Sequence, residues 1–248
     1  MKKFLFSAVC AGALLLCGCT NTARFNYSAA TGPMPVFSTL PNNPTVGVLP
    51  AVDKRGEKYI LSGDSSMPSP TGGSFWLGMI PLMPFGWHTL LYPEQATNFA
   101  TMHQFDFKPA DDLATAAAES LKQSGLFSQV KIQRDAKNAP YDYLWKTELL
   151  DTQYRGMLLT YGITYLAAPV LWVIGFPDGI STVDLSLRFT LIEVASGKAV
   201  WQYEFNGSDY LWHWIYTRIG EDCSLYASLM KFGMASAMTD LDAKLGGK

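Results

Sequence analysis

Polar and apolar positions alternate most regularly over residues 183–194. Val183, Leu185, Leu187, Phe189 and Leu191 take one side, and Asp184, Ser186, Arg188 and Thr190 the other. A period of two marks a half-buried strand. Ser196 and Gly197 signal a turn, and Trp201, Tyr203 and Phe205 resume the alternation over 200–205, so the two segments predict a β-hairpin. Residues 143–154 predict another strand, with Tyr143, Trp145, Thr147 and Leu149 on one side. Two shorter strands are predicted at 45–51, ended by Pro50, and at 127–132. The period lengthens over 109–124, where Leu113, Ala116, Ala117 and Leu121 share a helical face. Pro109 suits the first turn, Asp111 and Asp112 complement the dipole there, Lys122 sits in the last turn and Gly125 supplies the C-cap. Residues 222–245 predict a second, longer helix with Leu225, Leu229, Phe232, Leu241 and several Met on its apolar side. The order strand, helix, strand, strand, hairpin, helix implies an α+β fold: one mixed or antiparallel sheet covered by two main helices.

Two segments interrupt this pattern. Residues 65–93 and 156–177 contain no Asp, Glu, Lys or Arg and are apolar almost throughout. The second is long enough to cross a hydrocarbon core, which takes about 20 residues. A single crossing would put the strands on either side of it on opposite faces of the membrane, so the segment is expected to turn back, with Gly162 and Pro169 as turning points. It could then be a buried helical hairpin, lie in a membrane interface, or bind another protein. Trp76, Trp87, Leu159, Tyr165, Leu171, Trp172, Trp212 and Trp214 are the candidate membrane- or partner-contacting residues, because Trp and Tyr favour both kinds of interface. Core filling beneath the insertions would account for the same aromatics.

The N-terminus concerns location. Lys2 and Lys3 precede an apolar run over 4–16, too short to span a bilayer comfortably, and Leu16-Cys17-Gly18-Cys19 follows. This resembles the lipobox of bacterial lipoproteins, with an aliphatic residue three before the Cys and small residues between. Cys10 and Cys17 do not fit, since bulky Val9 and Leu16 precede them. The resemblance implies a signal peptide over 1–18, a lipid on Cys19 and a lipidated tether over 19–44. Thr20, where the sorting pattern for inner-membrane retention has Asp, implies an outer-membrane protein facing the periplasm. Phe25, Tyr27, Val36 and Phe37 are the tether residues able to dock on the domain, which is expected over 45–248.

The segments "VGVLPA", "LKQSGLFSQVKI" and "VDLSLRFTLIEVASGKAVWQYEF" with a C-terminal helix resemble the periplasmic α/β fold of three groups. These are the curli-secretion lipoproteins, the penicillin-binding-protein activator lipoproteins and the N-terminal domain of the Tol-system propeller protein. The resemblance implies a sheet under two helices and no catalytic residues.

Composition narrows the chemistry further. Formal net charge is -2 and charged residues are 16%, against about a quarter in an ordinary soluble domain. A mildly acidic chain without a basic stripe is not built for nucleic acid. After removal of the signal and lipidation of Cys19, Cys223 is the one remaining thiol, which excludes an internal disulfide; it is expected to be buried and inert in the first turn of the last helix. His88, His103 and His213 fit no metal-ligand spacing, and no cofactor is expected. Gly63-Asp64-Ser65 resembles the opening of a lipase–esterase family, but the Asp-x-x-His that family needs is absent: Asp209 and His213 are one residue too far apart. Glu148 and Asp151, three apart on a strand, are expected on opposite sides. The expectation is a non-enzymatic, membrane-anchored accessory module with a protein partner in the envelope. The alternatives are a self-assembling secretion or pore-type lipoprotein and, more distantly, a hydrolase.

Overall fold

The computed structural model describes residues 23–56, 75–95, 105–134, 140–164, 166–218 and 221–246. Its main strands are β2 (Thr45–Val48), β6 (Gln129–Ile132), β7 (Tyr143–Leu159), β8 (Gly179–Glu193) and β9 (Ala199–His213), in the order β6-β2-β7-β8-β9. β3 (Val52–Asp53) and β4 (Phe85–Leu90) pair with β7 farther along, and β1 (Ala23–Arg24) pairs with β5 (Phe105–Asp106) in a separate ribbon. β2 is parallel to β6 and β7, whereas β4, β8 and β9 run antiparallel to their neighbours. Helices α1 (Pro109–Ser124) and α3 (Ser224–Leu241) cover one face. The expected α+β sheet under two main helices is the fold found.

Helix α1 matches its sequence signals residue for residue. The Asp112 carboxylate accepts from the Lys108 N–H at 2.7 Å, and Gly125 takes φ 75° at the C-terminus. Its inner face, Leu113, Ala114, Ala116, Ala117 and Leu121, is small, so it lies close to the sheet. Helix α3 buries Tyr226, Met230, Met234, Ala237, Met238 and Leu241, which share a face at helical spacing. Phe232, expected inward, is 65% exposed, because it falls outside that stripe.

The three long strands define the molecule. β7 has 17 residues, and β8 and β9 have 15 each, against the usual 5–6. β8 alternates as expected, with Val183, Leu185, Leu187, Phe189 and Leu191 all buried. β7 alternates in two phases. Trp145, Thr147 and Leu149 face the helices; a β-bulge shifts the register between Leu149 and Asp151; thereafter Thr152, Tyr154, Gly156 and Leu158 face them. The bulge corrects the expectation for Glu148 and Asp151, which oppose Arg188 and Ser186 and so share the outer face. Glu148 is ion-paired there with Lys146 and Arg188, at 2.7 and 3.3 Å.

The insertions also differ from expectation. Residues 156–159 simply continue β7, and among the described residues of 156–177 only α2 (Pro169–Val173) is helical and none of its residues is buried, so the buried-helical-hairpin reading is not what forms. Leu166, Val170, Val173 and Ile174 are exposed. In the other insertion, residues 85–90 form β4 against the far half of β7. Of the tether, Tyr27 is buried and Phe25 and Phe37 pack against the core, while Val36 is exposed. Residues 1–22, and with them the expected signal and Cys19, lie outside the described residues, as do Gly63, Asp64 and Ser65.

Candidate functional site: an apolar end and the polar network beneath it

The far ends of β4, β7, β8 and β9 meet at one end of the sheet, where their connections are fastened to one another. The Leu82 N–H donates to the Gly162 carbonyl at 2.7 Å and the Thr160 N–H to the Pro84 carbonyl at 2.7 Å. The Leu159 N–H donates to the Asp178 carbonyl at 2.9 Å, and the Asp178 N–H to that of His213 at 3.0 Å. Side chains add to this: the Trp172 indole donates to the Leu159 carbonyl at 2.9 Å, and the Tyr161 and Tyr216 hydroxyls to those of Pro177 and Val173 at 2.7 and 2.6 Å. The backbone here bends sharply. Leu82, Tyr161, Thr164 and Arg218 hold φ of 73°, 53°, 71° and 65°, a region costly for side-chain-bearing residues. Strain of this kind persists only where surrounding contacts enforce it.

What this end presents is apolar. Leu82 is 88% exposed, Leu166 73%, Val170 68% and Ile174 66%, with Ile80, Val173, Phe176, Tyr210, Trp212 and Tyr216 also open to solvent. Of the residues singled out by sequence, Trp212 is exposed, and Trp87, Leu159, Leu171, Trp172 and Trp214 are half-buried around the same end. Tyr165 and the Trp76 side chain lie outside the described residues. The reading by aromatics missed the most exposed aliphatics; lack of charge pointed to the segment but not to the side chains that face outward. Among the described residues no helix is long and apolar enough to cross a membrane.

Just beneath lies a buried polar network. The Ser181 Oγ is 2.6 Å from the His213 Nε2, and the Asp222 Oδ2 accepts from the Tyr154 hydroxyl at 2.7 Å and from the Ser181 Oγ at 3.3 Å. The His88 ring lies 5.7 Å from that of Tyr154. All five residues are buried. No sequence signal joins them: they are brought together by strand register, with Gly179 opposite His213 and His88 opposite Gly156. The Ser–His contact resembles a nucleophile and its base. A catalytic relay, however, needs the acid on the far imidazole nitrogen, and here the carboxylate accepts from the serine and the tyrosine. The arrangement fastens β7, β8, β9 and the start of α3. Beside it, burial pushes the Cys223 thiol far up, as befits an inert cysteine. Among the described residues no group of three or more His, Cys, Asp or Glu is placed to hold a metal ion.

Burial lowers the pKa of His88 from 6.5 to about 4. Its folded pKa lies below its unfolded one, so its contribution is intact above about 6.5 and is lost as pH falls from there toward 4. Desolvation raises Asp222 and Asp178, although the Tyr154 bond and nearby His213 oppose this at Asp222; both therefore have the opposite sign, favouring the fold when protonated. Subtracting a His88→Gln variant isolates the histidine. Urea unfolding should show wild type losing about 2 kcal/mol relative to that variant between pH 7 and pH 5. Parallel curves for the two proteins would show that His88 is charged in the fold.

No protein-family model matches the chain, and no curated protein matches its sequence. Several solved chains are distantly similar to it. A PelC dodecamer from Paraburkholderia phytofirmans is similar at 12% identity, with 85% of this chain and 93% of that one covered and a TM-score of 0.36. A DUF330 protein from Xanthomonas campestris is similar at 9% identity, with 89% and 91% covered and a TM-score of 0.40. Lipoprotein GNA1162 from Neisseria meningitidis is similar at 12% identity, with 81% and 98% covered and a TM-score of 0.23.

Proposed function

We propose that this chain is a lipid-anchored module of the bacterial envelope, held by Cys19 at the outer membrane facing the periplasm, which acts by contact and not by catalysis. The observation that carries this reading is the apolar end: exposed aliphatic side chains on loops held rigidly by hydrogen bonds at the tips of unusually long strands. An ordinary soluble surface does not concentrate such side chains in one place, and patches of this kind mark protein or membrane contacts. The buried Ser181, His213 and Asp222 support the non-catalytic reading, since they bond to one another beneath the surface.

The test is photo-cross-linking in the lipidated, full-length protein in its envelope. A photoreactive residue at Val170 should give adducts, whether protein or lipid, and one at Lys198, on the turn at the opposite end, should give none. Cys19→Ala should abolish incorporation of labelled fatty acid into the protein. Equal labelling at both ends, or none at Val170, would remove the apolar end from its proposed role.

A further inference from the structure

The apolar end is graded in exposure. Its most exposed residues are the aliphatics Leu82, Leu166, Val170 and Ile174, on the connections; Tyr210 and Trp212, on the last residues of β9, are less exposed. Residues 156–177 and 75–93 carry no charge; beside them, among the described residues, Asp178 is half-buried and Arg155, Arg218 and Glu221 are exposed. Charge-free aliphatic loops bordered by Trp and Tyr are what a segment at a bilayer interface presents. The hot spots of protein interfaces, by contrast, are rich in Trp, Tyr and Arg and poor in Leu and Val.

The course of the N-terminal chain is a second, independent observation. Residues 23–40 follow α1. Arg24 pairs with Asp106 just before the helix, the Tyr27 hydroxyl bonds to Ser120, and the Phe37 and Leu40 N–H groups donate to the Ser124 and Leu126 carbonyls at its far end. Followed backwards, the chain therefore travels toward the apolar end. At Ala23 it pairs with Phe105, whose ring stacks on Tyr226, and the Tyr226 hydroxyl donates to the Gln153 carbonyl in the far half of β7. From there to Leu159 is about 20 Å of extended strand. Cys19 lies four Cα–Cα steps before Ala23, a reach of at most about 14 Å.

We propose that this end is seated in the headgroup–acyl boundary of a phospholipid bilayer, the same bilayer that holds the Cys19 lipid. The proposal rests on the anchored-module reading and names the occupant of its contact surface. The hydrogen bonds that fasten the loops together suit it, because polar backbone groups entering a membrane must be satisfied internally. Tethering suits it as well: a surface already held by the anchor needs only a weak second contact to fix its orientation. The sheet would then stand on its long strands, with α2 lying along the membrane and the opposite turn around Lys198 pointing away.

The test uses the unlipidated chain from Thr20 onward, which keeps the whole core from Tyr27 to Leu241. It should float with vesicles of phosphatidylethanolamine containing a minority of phosphatidylglycerol. A Leu166→Asp/Val170→Asp/Ile174→Asp variant, altered only at exposed positions, should keep its Tm and partition at least about tenfold less. Bimane on Val170→Cys should be quenched by lipids brominated in the acyl chain, and bimane on Lys198→Cys should not. Failure to float with no quenching at position 170 overturns the lipid occupant. So does flotation that the triple variant retains, since adhesion would then come from elsewhere. If flotation fails while cross-links at Val170 lead to protein, only the lipid proposal falls; if the cross-links are also missing, the contact reading falls with it.

Discussion

Replacing Trp145 with Ala should remove about 3–5 kcal/mol of stability, the cost of deleting a large buried aromatic. Trp145 has no exposed surface, and its ring lies 5.5 Å from that of Phe189 and 5.4 Å from that of Trp201, linking three strands. Its indole donates to the Thr147 hydroxyl at 3.1 Å, so truncation empties the space and strands a buried hydroxyl. It also sits opposite Val48, where the parallel and antiparallel parts of the sheet join, so neighbours cannot collapse into the gap without moving β2. Urea unfolding measures the loss. The slope should hold while the midpoint falls, and a loss under about 1.5 kcal/mol would mean that the site relaxes far more than a close-packed core allows. The tip variants provide the contrast, since their effect belongs to membrane partition and not to the unfolding midpoint.

Arg55→Met should cost about 3 kcal/mol. The Arg55 side chain is 1% exposed and its guanidinium donates to Asp53 at 2.7 Å, to Glu94 at 2.6 Å and to the Thr152 hydroxyl at 2.6 Å, while lying 4.3 Å over the Tyr92 ring. Burial works against its charge, and the two carboxylates more than restore it. At Asp53, burial pushes the carboxyl up, but the Arg55 bonds leave it below its ordinary value. Breaking a buried pair from one side leaves the other charge without compensation, at about 3–5 kcal/mol; half-exposed Asp53 keeps water, which places the expected loss at the lower end. Pairing Arg55→Met with Glu94→Leu should recover part of it. A loss below about 1 kcal/mol would class the cluster with surface ion pairs. The position matters because Thr152 immediately follows the bulge, so Arg55 pins β3 and the 93–95 turn where β7 leaves the helix-covered core for the apolar end.

Both predictions depend on features unequally legible in the sequence. The Trp145 face was readable, because the period-two positions Trp145, Thr147 and Leu149 are the fully buried ones. The Arg55 cluster was not: beyond neighbouring Asp53, its partners Glu94 and Thr152 lie 39 and 97 residues away, and no local period links them. The bulge was invisible for a related reason. One extra residue leaves a period of two on either side, and only pairing with β8 reveals that the inward face has moved from odd to even positions. The error on Glu148 and Asp151 follows directly. The network of Tyr154, Ser181, His213 and Asp222 was out of reach too, since each is an unremarkable polar residue until register places them together.

By itself the sequence determined the elements whose signals are local: α1 between Pro109 and Gly125, the 183–205 hairpin with its strict alternation, and two charge-free segments that had to bury themselves or meet something apolar. Short-range periodicity and backbone chemistry decide those. Tertiary structure decided what the segments do. Pairing extended β7 to Leu159 and β9 to His213, gathered three connections at one end, and turned Leu166, Val170 and Ile174 outward while Trp172 was drawn back toward the Leu159 carbonyl. Hydrophobicity sets how strongly a side chain avoids water, but the direction it faces depends on hydrogen bonds to strands far away in the chain.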